Sequence, residues 1–151
     1  MCLVAAAVAL CIVFPNKYSR LAEAAAEEFG LDASLVKSVV WAESRFDADA
    51  TSDKGARGLM QLMPETFVEC ASRLGMQNAS MYDPSASLRC GCFYLAELIN
   101  KFDGDERAAL MAYNAGEANA RKFLSGEQIF PETEKYLKNI RTAKKLYSLF
   151  G

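Results

Sequence analysis

The sequence alternates between stretches in which apolar residues recur every three or four positions and short segments that contain glycine, proline or aspartate. This spacing is typical of amphipathic helices separated by turns. It predicts helices over residues 16–29, 32–44, 64–74, 84–102, 105–114 and 117–124, and a last helix from about residue 133. No segment of alternating residues between turn signals suggests a hairpin. We therefore predict one mostly α domain.

Turn and cap residues define the ends of these predicted helices. Gly30 follows the first apolar stretch and is suited to end a helix. Asp32 and Asp105 each come directly before a periodic apolar stretch and are expected to cap the helix that begins there. Pro64 is suited to a first helical turn, and Thr133 is expected to cap the last helix.

The N-terminal run is apolar throughout residues 2–14. It is shorter than the ~20 residues that span a bilayer comfortably, and its length is that of the apolar region of a signal peptide. No basic residue precedes it, whereas Lys17 and Arg20 follow it. We assign residues 1–15 to a signal or membrane anchor, truncated if the natural start lies upstream, and residues 16–151 to the globular domain. A buried N-terminal helix is the alternative.

Composition excludes several kinds of site. The 151 residues are 52% hydrophobic with a net charge of −2 and no basic stripe, so nucleic acid is not an expected partner. The chain has no histidine, which excludes a Ser-His-Asp triad, a Cys-His pair and the common histidine zinc sites. Acid–base chemistry therefore falls to carboxylates, lysine, tyrosine or cysteine. This favours glycosidic chemistry, which needs only carboxyl groups.

The five cysteines leave two interpretations open. If the chain is exported, Cys70 could form a disulfide with Cys90 or Cys92. The odd number favours small buried residues instead. The Cys90-x-Cys92 pair has no companion ligands nearby in the sequence, so no metal site is expected.

Glu43 is the strongest single candidate for chemistry. It follows Val36, Val39 and Val40 by seven, four and three residues, which places all four side chains on one stripe of a helix. Burial at the end of an apolar face raises the pKa of a carboxyl group, as a general acid requires. The alternative is a glutamate at a frayed helix end that points to solvent.

Ordered motifs follow Glu43 along the chain. They are Glu43-Ser44-x-Phe46, Ser52-x-x-Gly55-Ala56-x-Gly58-Leu59-Met60-Gln61-x-Met63-Pro64-x-Thr66, Asp83-Pro84, Gly91, Tyr94-Leu95, Ala112-Tyr113-Asn114-Ala115-Gly116 and Glu132-Thr133 with Tyr136. In this order, over residues 16–148, the chain resembles the lytic transglycosylases of the soluble (SLT) type. The resemblance implies a lysozyme-like fold of the goose-type/SLT class, action on peptidoglycan strands outside the cytoplasm, no metal or other cofactor, and a monomer.

The resemblance also implies site residues. Glu43 would be the catalytic acid, and the substrate-binding candidates are Ser52, Gln61, Met63, Tyr113, Asn114 and Glu132. Structural roles remain open for these residues: a turn for Ser52, a helix end for Tyr113 and Asn114, and a charged helix start for Glu132. The chain departs from the family pattern at Ser87, where asparagine is frequent, and at Glu134, where a basic residue is common.

The implied reaction cleaves the β-1,4 bond between N-acetylmuramic acid and N-acetylglucosamine without water. One glutamate donates a proton and then accepts one from the muramic acid 6-hydroxyl, which closes a 1,6-anhydro ring. A hydrolytic muramidase on the same fold is one alternative, and it would require one of Asp47, Asp49 or Asp53. A non-catalytic peptidoglycan-binding domain is the other.

Overall fold

A computed structural model describes residues 17–128 and 130–150. The prediction of a signal or anchor over residues 1–15 lies outside the described residues. No helix in the described part of the chain combines the length and apolar character needed to span a membrane.

Seven helices occur within the described residues. They are α1 (Ser19–Glu28), α2 (Ala33–Ser44), α3 (Pro64–Arg73), α4 (Pro84–Lys101), α5 (Glu106–Ala115), α6 (Glu117–Leu124) and α7 (Pro131–Phe150). The described residues contain no strand, only isolated bridges from Arg57 to Thr51 and to Leu62. The mostly α prediction is confirmed, and each predicted helix is present.

Three helices begin with the cap or first-turn residue that the sequence predicted. The Asp32 carboxylate accepts from the Ser34 N–H and the Asp105 carboxylate from the Ala108 N–H, so each satisfies an amide that the helix leaves free. Pro64 lies in the first turn of α3, where its missing N–H costs no hydrogen bond.

The predicted cap of the last helix is wrong. This helix begins at Pro131, two residues before Thr133. Thr133 lies inside the first turn and is buried. A proline needs no donor at a helix start and already has helical φ, so the helix extends further back than the cap pattern indicated. Phe150, the last residue of this helix, is exposed.

The core forms around α2. Val36, Val39 and Val40 are fully buried, and α2 packs against α7 on one side and α1 on the other. Helix α4 contacts α1, α3 and α5. Cys70, Cys90 and Cys92 are free and buried, as the interpretation of small buried residues expects.

The segment between α2 and α3, residues 45–63, contains no helix. It is folded back by backbone hydrogen bonds, including Gly58 N–H to Ala50 O and Arg57 N–H to Leu62 O. We call residues 55–63 the site loop because they follow the end of the α2 stripe and pack on α4. Its Leu59 and Met60 are fully buried in the cluster that contains the α2 valines.

Candidate active site

Glu43 lies in the last turn of α2, and the chain changes direction directly after it. The helix ends at Ser44, and Arg45 and Phe46 both have positive φ, 55° and 63°. Left-handed backbone at two consecutive residues other than glycine is uncommon and costs conformational energy. The Arg45 guanidinium lies 3.4 Å from the centre of the Trp41 ring, a contact that helps to hold this conformation. The turn leaves Glu43 at the end of a buried stripe.

Tyr136 of α7 contacts this carboxyl group directly. Its hydroxyl donates to Glu43 Oε1 at 2.6 Å. Tyr136 is itself buried among the core residues of α7, so its hydroxyl has little freedom to turn away. The α2–α7 packing therefore fixes the orientation of the Glu43 carboxyl group.

Burial raises the pKa of Glu43 from its ordinary value to about 7. The hydrogen bond from Tyr136 opposes this effect because it stabilises the charged form. Loss of solvation is the larger of the two influences. Glu43 can therefore hold and release a proton near neutral pH, which is what a general acid requires.

Tyr113, at the end of α5, lies close enough to Glu43 for the carboxylate charge to influence it. Burial, with the Glu43 charge as a second cause, raises the pKa of Tyr113 well above its ordinary value. Its hydroxyl donates to the Met60 carbonyl oxygen at 2.7 Å. The proton of the Tyr113 hydroxyl is therefore used in a hydrogen bond to the site loop.

Two of the expected substrate-binding residues hold the backbone around the site loop. The Ser52 hydroxyl accepts from Ala56 N–H at 3.0 Å, so its own proton remains free for a further acceptor. The Gln61 amide nitrogen donates to the carbonyls of Ala50 and Gly58 at 3.1 and 2.9 Å. Gln61 has a positive φ of 47°. In the structure, the side chains of Ser52 and Gln61 therefore stabilise the backbone conformation of residues 50–61.

The other expected binding residues lie on the surface. Met63 precedes α3 and is 45% exposed. Asn114 is exposed near the end of α5, and Glu132 is exposed in the first turn of α7. Glu132 comes one turn before Tyr136 and so shares its helix face. These positions are accessible to a ligand, and within the described residues no side-chain hydrogen bond ties Asn114 or Glu132 to the protein.

Sequence reasoning assigned no role to three residues that contact Glu43 or the site loop. Tyr136 was part of a motif, but its pairing with Glu43 was not predicted. The Ser44 hydroxyl lies 2.9 Å from the Leu59 carbonyl oxygen. Ser87 Oγ accepts from Met60 N–H. Tyr136 and Ser44 both lie in the motifs given above, which carried a usable signal, whereas Ser87 stood out only as a departure from the family pattern.

Two partly open pockets among the described residues lie away from the Glu43 carboxyl group. A cavity of about 360 Å³ lies between α5 and α7, and its lining includes Leu110, Leu137 and Arg141. A second, of about 100 Å³, includes Met111, Asn119 and Phe130. Glu43 lines neither. In the described part of the chain, no three carboxylates or cysteines lie together as a metal site would require.

Comparison with known proteins identifies similar chains. The model of the family described as "Transglycosylase SLT domain" matches residues 20–136. The chain is 32% identical over 143 residues to the peptidoglycan transglycosylase gp16 of Escherichia phage T7, covering 87% of this chain and 10% of that protein. It is 39% identical over 117 residues to the transglycosylase of Enterobacteria phage PRD1, covering 78% and 40%.

A solved structure is also similar. An inactive mutant of the lytic transglycosylase Slt from Pseudomonas aeruginosa superposes with a TM-score of 0.86 at 31% identity, covering 93% of this chain and 25% of that one. The expected fold class is thereby confirmed. In each of these three comparisons, this chain spans well under half of the other protein.

Proposed function

This chain belongs to the transglycosylase SLT domain family, and from that premise we propose that it is a peptidoglycan lytic transglycosylase with Glu43 as its catalytic acid and base. The observation that carries the proposal is a carboxyl group at the end of a buried stripe, held by Tyr136 at 2.6 Å, with a pKa of about 7. Binding alone does not require such a group, whereas protonation of a poor leaving oxygen does.

The first step transfers the Glu43 proton to the glycosidic oxygen between N-acetylmuramic acid and N-acetylglucosamine. Because Oε1 accepts from Tyr136, the transferable proton sits on Oε2. The bond from the anomeric carbon to the glycosidic oxygen breaks, and N-acetylglucosamine leaves as an alcohol. Positive charge develops on the muramic acid ring.

The second step returns a proton to the same residue. Glu43, now a carboxylate hydrogen-bonded by Tyr136, accepts the proton of the muramic acid 6-hydroxyl. The 6-oxygen forms a bond to the anomeric carbon and closes the 1,6-anhydro ring. Glu43 ends protonated as it began, no water is consumed, and no second carboxylate is needed.

Substrate contacts in this proposal come from residues around Glu43. The glycan strand contacts the Ser52 hydroxyl, whose proton is free, and the exposed side chains of Met63, Asn114 and Glu132. Gln61 and Tyr113 hold the site loop. Because the substrate is cell-wall material, we place the activity outside the cytoplasm. Membrane attachment through residues 1–15 belongs to the same proposal and concerns residues outside those described.

Mass spectrometry of the products from purified peptidoglycan tests this function. We expect muropeptides one water lighter than hydrolysis products from the intact chain. None should appear with Glu43→Gln, and the same products should appear with Glu134→Gln, which neutralises an exposed glutamate of α7. Reducing-end products would instead indicate a hydrolytic muramidase. Binding without any product would indicate a non-catalytic peptidoglycan-binding domain.

A further inference from the structure

Two helices hold the backbone of Met60, one through its N–H and the other through its carbonyl oxygen, which belong to successive peptide groups. On the α4 side, its N–H donates to Ser87 Oγ at 3.2 Å. On the α5 side, its carbonyl oxygen accepts from the Tyr113 hydroxyl at 2.7 Å. Met60 is fully buried and Ser87 is 2% exposed. Buried polar groups that lose a hydrogen-bond partner in such a place are costly, so this arrangement resists movement of the Met60 backbone.

The site loop has no spare room against α4. A side chain at Gly58, which has a φ of +75°, would overlap the Met81 carbonyl oxygen and come within 2.8 Å of Ser87 Oγ. A Cβ at Gly91 of α4 would lie 2.5 Å from the Met60 side chain. The loop is therefore closely packed at Gly58 against the segment before α4 and, through the Met60 side chain, against α4 itself at Gly91.

The peptide group between Leu59 and Met60 also connects the clamped backbone to the residue that follows Glu43. The Leu59 carbonyl oxygen lies 2.9 Å from the hydroxyl of Ser44, the residue that follows Glu43. Leu59 and Met60 share one buried cluster with Val36 and Val40. A displacement of residues 59 and 60 would therefore loosen the end of α2 and admit water to the stripe that ends at Glu43.

We propose that Ser87 and Tyr113 are positioning residues, which act on Glu43 by clamping the two successive peptide groups that flank Met60. The inference rests on the proposed function, in which Glu43 is the acid. Neither residue needs to touch the sugar for this role. They hold the site loop in its packed position, and in that position the loop excludes water from the end of α2.

The groups that interact electrostatically with Glu43 come from two other helices. They are Tyr136 on α7 and Tyr113 on α5. The site loop contributes Leu59 and Met60, which are apolar. Nearby, Arg45 lies over the Trp41 ring. Opening the loop therefore changes the solvation of Glu43 and leaves its hydrogen bond from Tyr136 in place.

The test is an NMR titration of the Glu43 carboxyl carbon in the intact chain without substrate. It compares the wild type, Ser87→Ala, Tyr113→Phe and two matched controls. Ser38→Ala removes a buried hydroxyl that donates only to its own helix, at Leu35 O. Tyr94→Phe removes a hydroxyl from the ring packed 5.4 Å from Tyr113. Amide exchange at Met60 and kcat on peptidoglycan are measured on the same proteins.

We expect both clamp variants to shift the Glu43 pKa towards the ordinary glutamate value of ~4.3, and the controls to leave it in place. Tyr113→Phe also deletes a phenol near Glu43, so Ser87→Ala, which does not, isolates the effect of the loop. Met60 amide exchange should quicken in both clamp variants. We expect kcat to fall about tenfold, as for a small displacement of a catalytic group, with KM changed less.

Each outcome separates this inference from the proposed function. An ordinary glutamate pKa in the wild type would remove the basis of the proposed acid. A raised wild-type pKa that both clamp variants leave unchanged, with normal kcat, would overturn the clamp alone. If Ser87→Ala does not fold, Tyr113→Phe against Tyr94→Phe, together with Met60 amide exchange, still decides the question.

Discussion

Glu43 and Tyr136 lie 93 residues apart in the sequence, and the Tyr136 hydroxyl donates to Glu43 Oε1 at 2.6 Å. This bond and the burial of Glu43 act in opposite directions on one pKa. Burial disfavours the carboxylate, and the phenol stabilises it. The resulting value of about 7 suits a residue that must act first as an acid and then as a base.

Removal of the Tyr136 hydroxyl should change the Glu43 pKa in a predictable direction. In Tyr136→Phe the carboxylate loses a hydrogen bond, so we expect the Glu43 pKa to rise further above its ordinary value. The high-pH limb of the kcat profile should move to higher pH, because Glu43 then keeps its proton longer. We also expect kcat at its optimum to fall about tenfold, since the carboxyl group is less well oriented.

The pH–rate profile of Tyr136→Phe beside that of Tyr94→Phe provides the measurement. The direction of the shift is opposite to that expected for Ser87→Ala, which admits water. A high-pH limb that moves to lower pH in Tyr136→Phe would contradict the role given to this hydrogen bond.

The raised pKa of Glu43 also makes folding stability depend on pH. The folded state prefers the protonated form, so this contribution is complete below pH 4.5 and is lost as pH rises to about 7. Glu43→Gln is neutral at every pH. We therefore expect the variant to gain up to roughly 3 kcal/mol in unfolding free energy relative to wild type between pH 4 and pH 8.

Urea unfolding of both proteins at several pH values measures this gain. Other carboxyl groups titrate in both proteins, so the difference between the two isolates Glu43. A difference that stays constant from pH 4 to pH 8 would show that Glu43 titrates alike in the folded and unfolded chain.

The aspartates after α2 separate transglycosylase from hydrolase chemistry. Asp47, Asp49 and Asp53 are exposed, and Asp47 accepts from the Asp49 N–H at 3.0 Å. Because the proposed reaction uses one carboxyl group, Asp47→Asn, Asp49→Asn and Asp53→Asn should each retain activity within about twofold, as for an exposed group outside the chemistry. Rates and product masses on peptidoglycan check this. A loss comparable to that of Glu43→Gln would favour a hydrolytic muramidase.

The contact between the site loop and α4 predicts unequal costs for two similar substitutions. Gly55 and Gly58 both have positive φ, 89° and 75°, but only Gly58 faces other atoms where a side chain would begin. Gly55→Ala should destabilise the fold by about 1 kcal/mol through backbone conformation alone. Gly58→Ala should cost about 3 kcal/mol or more, because the Met81 carbonyl must move. Chemical unfolding compares them, and equal costs would contradict the tight seating of the loop.

Much of the fold could be read from the sequence because it depends on local patterns. The side chains of Asp32 and Asp105 cap helices from within two or three residues, and the apolar spacing of α2 follows the helical repeat. The start of α7 was mispredicted at Thr133 because two local signals competed, and the proline upstream began the helix.

The candidate site was predicted only in part, for a physical reason. The spacing of Val36, Val39 and Val40 was enough to place Glu43 at the end of a buried face. The roles of Ser52 and Gln61 in shaping the loop depend on hydrogen bonds to backbone groups up to 11 residues away. A residue list cannot distinguish such a bond from a contact with a ligand, since the same polar atoms serve both.

The sequence by itself determined the helices, the position of Glu43 on a buried stripe and the absence of histidine chemistry. These follow from residue types and from spacings of three or four positions. Only the tertiary structure decided that Tyr136 holds the Glu43 carboxyl group and that Ser87 and Tyr113 bind the backbone N–H and carbonyl oxygen of Met60. Those contacts join residues 27 to 93 positions apart, and packing of the helices, rather than local pattern, brings such residues together.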